Sequence, residues 1–533
     1  MKTKKLTNFI FFILIITAAI SCKKNKDKEK AEVTPNYSEE ELYRPNFHFT
    51  PKSNWMNDPN GMFYFNDKYH LYFQHHPDSN VWGPMHWGHA ISEDMITWKE
   101  QPIALYPDEL GTIFSGSAVV DLANTSDFGK TEESQPIVAI YTNSKKLEGD
   151  DNWKQTQSIA YSDDEGKTFT KYDNNPVIDN NEFKDFRDPK VTWDKKRSRW
   201  VMALAVGDKI SFYASEDLKD WIYLSDFGQG IGGHGGVWEC PDLIQLPVSG
   251  TEESKWVLLV SINPGGPNGG SATQYFVGDF DGTHFTLDEQ FEESLAQNHT
   301  YWIDFGRDNY AAVTWDNASR PDGSKLLMGW MSNWNYAQEV PTEGWRSAMT
   351  IAREIKLKLD DNGYRLLSTP VKELSKYRSK KYKDEEITVK GETLLLKGNQ
   401  IDLASAEIKF NINDLKKDTY TFKLSNSLGD ELLFGYNHTS QTFYVDRRKS
   451  GKTDFSDQFA NKVSTAERTS SRPNLSGTIL IDKTSIEIFY DDGETVMTEI
   501  FFPNAPYDRL SLNSEQHEFK LKNLEAYELD TEK

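Results

Sequence analysis

Ser162-Asp163-Asp164-Glu165-Gly166-Lys167-Thr168-Phe169 is the fullest copy of a phrase that recurs in this sequence. The Ser and Asp side chains predict a turn that bonds its own backbone, with the following aromatic ring packed underneath. The other copies are Ser92-Glu93-Asp94 leading to Trp98, Ser215-Glu216-Asp217 leading to Trp221, and Asp279-Phe280-Asp281 leading to Phe285. Successive copies start 70, 53 and 64 residues apart. This period predicts four-stranded propeller blades, and residues 43–355 have room for about five of them.

Tryptophan usage marks the end of the repeated part. All 15 tryptophans lie between Trp55 and Trp345. The chain after a polar stretch near residues 371–386 alternates apolar and polar residues, as at Ile479, Ile481, Ile486, Ile488 and Val496. This alternation predicts an antiparallel sandwich. We therefore expect an all-β protein with a five-bladed β-propeller over residues 43–365, a linker over 366–385 and a β-sandwich over 386–533.

Composition and charge exclude several classes of protein. The 533 residues favour two domains, and an aromatic content of 13% supplies enough ring surface to fill their cores. The 60 basic and 82 acidic side chains give a formal net charge of -22, so nucleic acid is excluded as a partner by repulsion. The two cysteines, Cys22 and Cys240, can form neither a disulfide framework nor a Cys-rich zinc site.

The first 22 residues have the features of an export signal. Three lysines precede an apolar run from Phe9 to Ile20, which is too short to span a bilayer comfortably. With Ser21 before Cys22, the segment resembles a bacterial lipoprotein signal over residues 1–21, in which Cys22 becomes the lipidated first residue. An ordinary secretory signal cleaved near Cys22 is the alternative. Residues 22–42 are read as a flexible tether, so we expect an exported protein that contacts the bacterial cell envelope only through its lipid anchor.

Three phrases place a carboxylate beside or close to a proline: Trp55-Met56-Asn57-Asp58-Pro59-Asn60-Gly61, Phe186-Arg187-Asp188-Pro189 and Trp238-Glu239-Cys240-Pro241. Taken singly, each is equally well explained by a turn, a surface ion pair or a strand acid. Proline favours an extended backbone before it, which would hold Asp58 and Asp188 in fixed directions. The three acids precede the repeated turns by 34, 27 and 40 residues. This spacing puts them on early strands of three blades, which line the central funnel of a propeller.

Acids that converge on one funnel can perform acid and nucleophile chemistry. Two close carboxylates cannot both ionise freely, so one pKa rises and a protonated acid persists beside an ionised partner. Retaining glycoside cleavage needs this pair about 5 to 5.5 Å apart. Arg187 is expected to keep the neighbouring Asp188 ionised, which suits Asp188 to binding hydroxyls.

The sequence resembles glycoside hydrolase family 32, the levanases, inulinases and invertases that cleave β-fructofuranosides. Besides the three acid phrases, the resemblance rests on Trp82 to His89, Phe114-Ser115-Gly116-Ser117 and Gly329 to Trp334, and it extends to the tail around Ile479 to Gly493. It implies that Asp58 is the nucleophile, Glu239 the general acid/base and Asp188 the transition-state stabiliser. It further implies a fructose subsite built from Asn57, Gln74, Trp82, Ser115 and Arg187, with Phe114 and Trp334 as walls.

Our leading hypothesis is a retaining hydrolase that releases fructose from the ends of levan or inulin, or from sucrose. One alternative is another propeller glycosidase, because Ser162 to Phe169 looks like a sialidase turn; a sialidase would use a Tyr nucleophile and an arginine cluster. The other is a surface lipoprotein that binds fructan without cutting it. No cofactor or metal is expected, since alternation along a strand would send His86 and His89 to opposite faces. Cys240 is read as packing against or tuning Glu239.

Overall fold

The repeated phrases form equivalent turns in the computed structural model, which describes residues 38–147, 152–361 and 363–532. Each turn joins the third and fourth strands of an antiparallel sheet. The Asp94 carboxylate accepts hydrogen bonds from the backbone N–H groups of Ile96 and Thr97. Asp164, Asp217 and Asp281 accept the same kind of bond from residues two to four positions further along. The turns predicted from the phrase are confirmed.

Five such sheets follow one another along the chain. The first contains β1 (Asn54–Phe65), β2 (Lys68–His76), β3 (His86–Ser92) and β4 (Lys99–Leu105). The second contains β5 (Thr112–Val120), β6 (Ile137–Lys146), β7 (Trp153–Ser162) and β8 (Thr170–Lys171). The third contains β9 (Phe186–Asp194), β10 (Arg199–Val206), β11 (Lys209–Ser215) and β12 (Ile222–Phe227). The fourth contains β13 (Val237–Pro247), β14 (Ser254–Asn263), β15 (Ala272–Phe280) and β16 (Phe285–Leu287).

The fifth sheet closes the ring. Its strands are β17 (Tyr310–Thr314), β18 (Lys325–Met331), β20 (Ala348–Met349), β21 (Arg353–Asp360) and β22 (Gly363–Pro370), and helix α2 (Glu289–Gln297) precedes them. Strand β19 (Trp345–Arg346) leaves this segment and pairs in parallel with β1. Each first strand lies beside the first strand of the next sheet, from β1 through β5, β9, β13 and β17 back to β1. The prediction of a five-bladed propeller is confirmed.

The chain joins the folded body earlier than expected. Helix α1 (Glu39–Tyr43) begins with a capping box, in which Ser38 and Glu41 bond each other's backbone N–H groups. The Tyr43 ring packs edge-on against Phe502, with centroids 5.5 Å apart. Leu42, at the end of the range expected to be a tether, is buried in the same cluster as Tyr43 and Phe502. Residues 1–37, with the predicted signal and Cys22, lie outside the described residues. Within the described part of the chain, every helix is too short or too polar to serve as a transmembrane span.

The second part of the chain forms two six-stranded sheets. One contains β23 (Arg378–Val389), β25 (Ser405–Ile412), β30 (Leu475–Asp482), β31 (Ser485–Tyr490), β32 (Thr495–Ile500) and β34 (Phe519–Leu529). The other contains β24 (Thr393–Lys397), β26 (Thr419–Ser425), β27 (Glu431–Asn437), β28 (Thr442–Lys449), β29 (Ser464–Glu467) and β33 (Arg509–Ser514). Short 3₁₀ helices occupy Lys372–Tyr377 and Asp491–Gly493. The predicted sandwich is confirmed, and Ile479, Ile481, Ile486 and Ile488 are fully buried in it.

The range 366–385, expected to be a linker, contains regular structure. It covers the end of β22, the first 3₁₀ helix and most of β23. Strand β23 is polar because it lies at the edge of its sheet and exposes most of its side chains. An exposed edge strand and a linker have similar compositions, which explains why the sequence suggested a linker.

Buried charges join the propeller to the sandwich. His48, which precedes β1, contacts Asp482 through Nδ1 at 2.9 Å and Glu487 through Nε2 at 2.8 Å. Arg353 on β21 pairs with Glu487 at 2.5 Å and with Asp304 at 2.8 Å. All of these side chains are almost completely excluded from solvent. Because each charge has a partner of opposite sign, removing either partner would leave the other buried and unpaired.

Candidate active site

A β-bulge interrupts the first strand of every blade near its N-terminal end. The bulged residues are Asn57 and Asp58 in β1, Phe114 and Ser115 in β5, Asp188 and Pro189 in β9, Cys240 and Pro241 in β13, and Ala311 and Ala312 in β17. A bulge adds a residue to one strand and changes the direction of the side chains around it. Three of these bulges, in β1, β5 and β9, carry residues that line one cavity: Asn57, Asp58, Phe114, Ser115 and Asp188.

The backbone of Asp188 departs from the expected geometry. Proline was expected to hold the preceding residue extended, but Asp188 has φ +63°, in the left-handed region. Its N–H donates to Oγ1 of Thr142 on the neighbouring blade at 3.0 Å. This bond and the bulge outweigh the local preference that Pro189 imposes.

A cavity of about 310 Å³ lies where the bulges meet. It is lined by the three acids Asp58, Asp188 and Glu239 and by the seven other residues expected at the site: Asn57, Gln74, Trp82, Phe114, Ser115, Arg187 and Trp334. The structure thus brings together residues from blades one, two, three and four and from the segment after β18. The condition on which the hydrolase hypothesis depended, that the acids meet in one place, is satisfied by the geometry.

Asp58 is held by three donors. The Ser115 hydroxyl donates to Oδ2 at 2.6 Å, and the Asn57 amide donates to Oδ1 at 3.1 Å. Cys240 Sγ lies 3.6 Å from Oδ2. The Asn57 side chain is itself fixed by the indole N–H of Trp55, which donates to its Oδ1 at 2.7 Å. A carboxylate bonded on both oxygens keeps one orientation, as a group that attacks a substrate must.

Asp188 and Asp58 share the thiol of Cys240. The Cys240 N–H donates to Oδ2 of Asp188 at 3.0 Å, and its Sγ lies 3.6 Å from the same oxygen. Cys240 therefore contacts the two aspartates rather than the Glu239 carboxylate, to which the sequence interpretation had linked it. Burial raises the pKa of the Cys240 thiol well above its ordinary value, so this side chain stays a neutral weak donor.

The guanidinium of Arg187 binds the carboxylate of Glu239. Nε and Nη2 of Arg187 donate to Oε1 of Glu239 at 3.2 and 3.1 Å, and the Tyr310 hydroxyl donates to Oε2. Nη1 of Arg187 donates to Asp185 at 2.6 Å and to Gln155 at 3.3 Å. The hydrogen bonds of Arg187 go to Glu239, Asp185 and Gln155 rather than to Asp188, but its positive charge lowers the pKa of Asp188, in the direction expected from the sequence.

The two aspartates titrate above the usual range. Burial raises the pKa of Asp58; the hydrogen bond from Ser115 opposes this, and repulsion from Glu239 adds to it. Burial also raises the pKa of Asp188, to about 7, with Arg187 opposing and the charges of Glu239 and Asp58 adding to the rise. Mutual repulsion in a dry site is the effect expected when several carboxyl groups share one cavity.

Comparison with known proteins decides the family. Residues 48–370 match the glycosyl hydrolases family 32 N-terminal domain, and residues 373–528 match the glycosyl hydrolases family 32 C-terminal domain. The chain belongs to glycosyl hydrolase family 32. It is therefore a glycoside hydrolase, as the resemblance implied.

Relatives of this family 32 enzyme cover nearly all of its length. It is 45% identical to a levanase of Bacillus subtilis over 99% of this chain and 75% of that protein, and 38% identical to an extracellular exo-inulinase of Aspergillus niger over 89% and 92%. Its fold is similar to that of an exo-inulinase from Aspergillus awamori, with TM-score 0.82, 35% identity and coverage of 92% and 99%. It is also similar to a β-fructofuranosidase from Schwanniomyces occidentalis complexed with fructosyl-erythritol, with TM-score 0.81, 34% identity and coverage of 93% and 99%.

Aromatic rings form the walls of the family 32 site. Trp82 meets Phe114 edge-on with centroids 6.0 Å apart, and Trp334 stacks on Trp55 at 5.8 Å. Trp82 is 38% exposed, so part of its ring is free at the mouth of the cavity. Apolar faces beside several polar groups are typical of sugar-binding pockets, since sugar rings carry both kinds of surface.

Sequence reasoning missed several residues of this site. Six more residues line the cavity: Ser144, Trp153, Gln155, Lys184, Asp185 and Asn263. Tyr310 was also missed. It begins the first strand of the fifth blade, and we expected the first strands of the blades to line the central funnel. Strand positions alone could have suggested Tyr310. The residues on β6 and β7 could not be found this way, because their approach to the funnel depends on how the second blade is oriented.

Proposed function

We propose that this enzyme is a retaining β-fructosidase that releases fructose from fructans such as levan and inulin, or from sucrose. The names of its relatives, levanase and exo-inulinase, support the substrate class. The observation that carries the mechanism is the convergence of Asp58, Asp188 and Glu239, from three blades, on one cavity.

In the first step, Asp58 attacks the anomeric carbon of the terminal fructosyl unit while Glu239 gives its proton to the leaving oxygen. The bond to the leaving sugar breaks, and a covalent fructosyl–Asp58 ester forms. In the second step, Glu239 takes a proton from water, the hydroxyl adds to the anomeric carbon, and Asp58 leaves. Two displacements at the same carbon retain its configuration.

Asp188 binds the furanose ring in this proposal. Its Oδ2 is occupied by the Cys240 N–H, so its other oxygen is available to accept a bond from a sugar hydroxyl. Such bonds favour the ionised form of Asp188 and lower its pKa from the free-enzyme value.

The name of one relative, exo-inulinase, supports cleavage at chain ends. Trp82, Phe114 and Trp334 line the cavity beside the acids, and its volume of about 310 Å³ is at the low end for ligand pockets. An enzyme with such a site would release single fructose units.

Product analysis tests the function. Levan, inulin and sucrose are incubated separately with the purified protein, and products are separated by thin-layer chromatography while NMR records the anomer formed first. We expect fructose as the first product with unchanged anomeric configuration. Inversion would rule out Asp58 as a nucleophile, and larger oligosaccharides as first products would rule out action at chain ends.

The two alternative functions are less well supported by the site. A sialidase needs an arginine cluster for the sugar carboxylate, whereas Arg187 is the one arginine among the described residues that line the cavity. A binding protein without activity would not need three acids held by fixed donors. Release of sialic acid, or tight levan binding without any product, would favour the respective alternative.

We also propose that the protein is exported and anchored through Cys22. The basic and apolar pattern of residues 1–21 supports export, as does the name of an extracellular relative. Expression of the wild type and Cys22→Ala with radiolabelled palmitate tests the anchor. We expect label and membrane association in the wild type alone; an unlabelled wild type released to the medium would indicate an ordinary secretory signal.

A further inference from the structure

We propose that one wall of the cavity, formed by Ser144, Trp153 and Gln155 of the second blade, binds the leaving sugar ring, the unit on the far side of the bond that is cleaved. This inference rests on the proposed function and adds the part of the site that recognises the rest of the substrate. We call these three residues the blade-two wall.

Strand pairing places the blade-two wall on a single surface. Gln155 on β7 pairs directly with Ser144 on β6, and Trp153 lies two residues before Gln155 on the same strand. Side chains two positions apart on a strand share a face, and directly paired residues share it too. All three residues line the cavity that holds the acids.

Trp153 offers a free ring face. Its side chain is 39% exposed at the cavity mouth, and among the described residues it makes no contact with another aromatic ring. Trp82, which also lines the cavity, differs because its ring contacts that of Phe114. A rigid, partly exposed indole beside a polar pocket is suited to stacking on the apolar face of a sugar.

Ser144 and Gln155 supply polar groups beside this ring. The Ser144 hydroxyl is buried, lines the cavity and has no hydrogen-bond partner in the described protein. A buried hydroxyl without a partner is costly, and a sugar hydroxyl would provide the missing partner. The Gln155 carbonyl oxygen accepts bonds from the Phe186 N–H at 2.8 Å and from Nη1 of Arg187 at 3.3 Å. Its carbonyl end is thus fixed, which orients its amide NH₂ as well.

Contacts to Arg187 place this wall on the leaving-group side. Arg187 bonds Gln155 with Nη1 and Glu239 with Nε and Nη2, so the wall is joined to the proposed proton donor through one guanidinium. The leaving oxygen must lie next to that donor. The sugar attached to that oxygen therefore meets the blade-two wall, while the fructosyl unit lies against Asp58 and Asp188.

A comparison of two substrates tests the wall. Inulobiose and levanbiose carry a leaving sugar, whereas methyl β-D-fructofuranoside has methanol as its leaving group. The measured quantity is the ratio of kcat/KM for each disaccharide to kcat/KM for the methyl fructoside. We expect Trp153→Ala to lower this ratio about tenfold and Ser144→Ala to lower it about threefold, as the loss of one stacking contact or one hydrogen bond would.

Two further variants separate the binding role from a loss of fold. Trp153→Phe keeps a ring and should keep the ratio within about twofold of the wild type. Ile222→Ala, on β12, changes a side chain that is 71% exposed outside the cavity and should leave the ratio unchanged. A wild-type ratio in Trp153→Ala would overturn the inference while leaving the fructosidase proposal intact. If the wild type cleaves none of the three substrates, the proposed function fails first, and the inference fails with it.

Discussion

The Tyr310 hydroxyl donates a hydrogen bond to Oε2 of Glu239, and the two residues lie 71 positions apart in the sequence. Arg187 binds the other oxygen, so the carboxyl group is held at both ends. Burial raises the pKa of Tyr310 well above its ordinary value, so the hydroxyl keeps its proton and can donate at neutral pH. Tyr310 does not line the cavity, and we therefore regard it as a positioning residue.

Removal of this donor should slow the reaction without weakening substrate binding. We expect Tyr310→Phe to lower kcat about tenfold to a hundredfold, the effect of one hydrogen bond to a charged group, with KM little changed. Steady-state kinetics on sucrose or inulin measure both constants. Tyr420→Phe is the control, because Tyr420 is a buried tyrosine of the sandwich, remote from the cavity. A raised KM with unchanged kcat would contradict the positioning role.

Neutral replacements of the two reacting acids should abolish turnover while the fold survives. We expect Asp58→Asn to lower kcat on the order of 10⁴-fold or more, and Glu239→Gln by about 10² to 10⁴. Circular dichroism and thermal unfolding check the fold, and Asp279→Asn, an exposed acid on β15, is the matched control. Either active-site variant with near wild-type activity would refute its assigned role.

The sequence predicted best those features of the fold and the site that form from residues close together in the chain. The turns at Asp94 and Asp164 form from residues within a few positions of one another, and the acids at Asp58, Asp188 and Glu239 lie on the strands expected for them. Their surroundings were harder to predict because these depend on contacts between blades. Asp188, with its positive φ, lies in a bulge of β9, and the pairing of Arg187 with Glu239 joins two blades. Strand register and contacts between blades are not visible in the order of neighbouring residues.

The sequence predicted a longer tether and a longer linker than the structure has, for a related reason. Residues 378–389 are highly charged, yet they form a strand because β34 supplies a full ladder of backbone partners. Composition predicts exposure of side chains, and an edge strand exposes them as fully as a linker does. Pairing between residues about 140 positions apart is not visible in composition.

The hydrogen bond from Ser115 to Asp58 should determine how far activity extends to low pH. This bond, 2.6 Å long, stabilises the ionised form of Asp58 and so opposes the burial that raises its pKa. Ser115→Ala removes the donor, so the pKa of Asp58 should rise further. Because only the ionised form can attack, the acidic limb of the kcat/KM profile should move to higher pH. Ser158→Ala, a buried serine whose hydroxyl has no partner among the described residues, is the control. A limb that stays in place or moves to lower pH would show that another group governs it.

The contact of His48 with Asp482 and Glu487 should make the junction between propeller and sandwich sensitive to alkaline pH. Burial lowers the pKa of His48, but hydrogen bonds and charges from the two acids outweigh it and raise the pKa to about 9, against 6.5 in the unfolded chain. A raised pKa contributes stability that is complete below about 6.5 and is lost as the pH rises through about 9. The difference between these two pKa values corresponds to a contribution on the order of 3 kcal/mol to the free energy of unfolding.

Thermal unfolding of the wild type and His48→Gln at pH 6 and at pH 9.5 measures this effect. We expect the wild type to be clearly more stable than the variant at pH 6, and the gap in Tm to narrow at pH 9.5, because neutral histidine no longer offsets the charges of Asp482 and Glu487. Arg353 stays charged across this range and keeps its pairing with Glu487 and Asp304, so these two contacts contribute equally to wild type and variant at both pH values. His284→Gln, an exposed histidine near Asp281, is the matched control and should behave as the wild type at both pH values. A gap in Tm between wild type and His48→Gln that is the same at both pH values would contradict the prediction, because it would show that His48 does not lose its charge between pH 6 and pH 9.5.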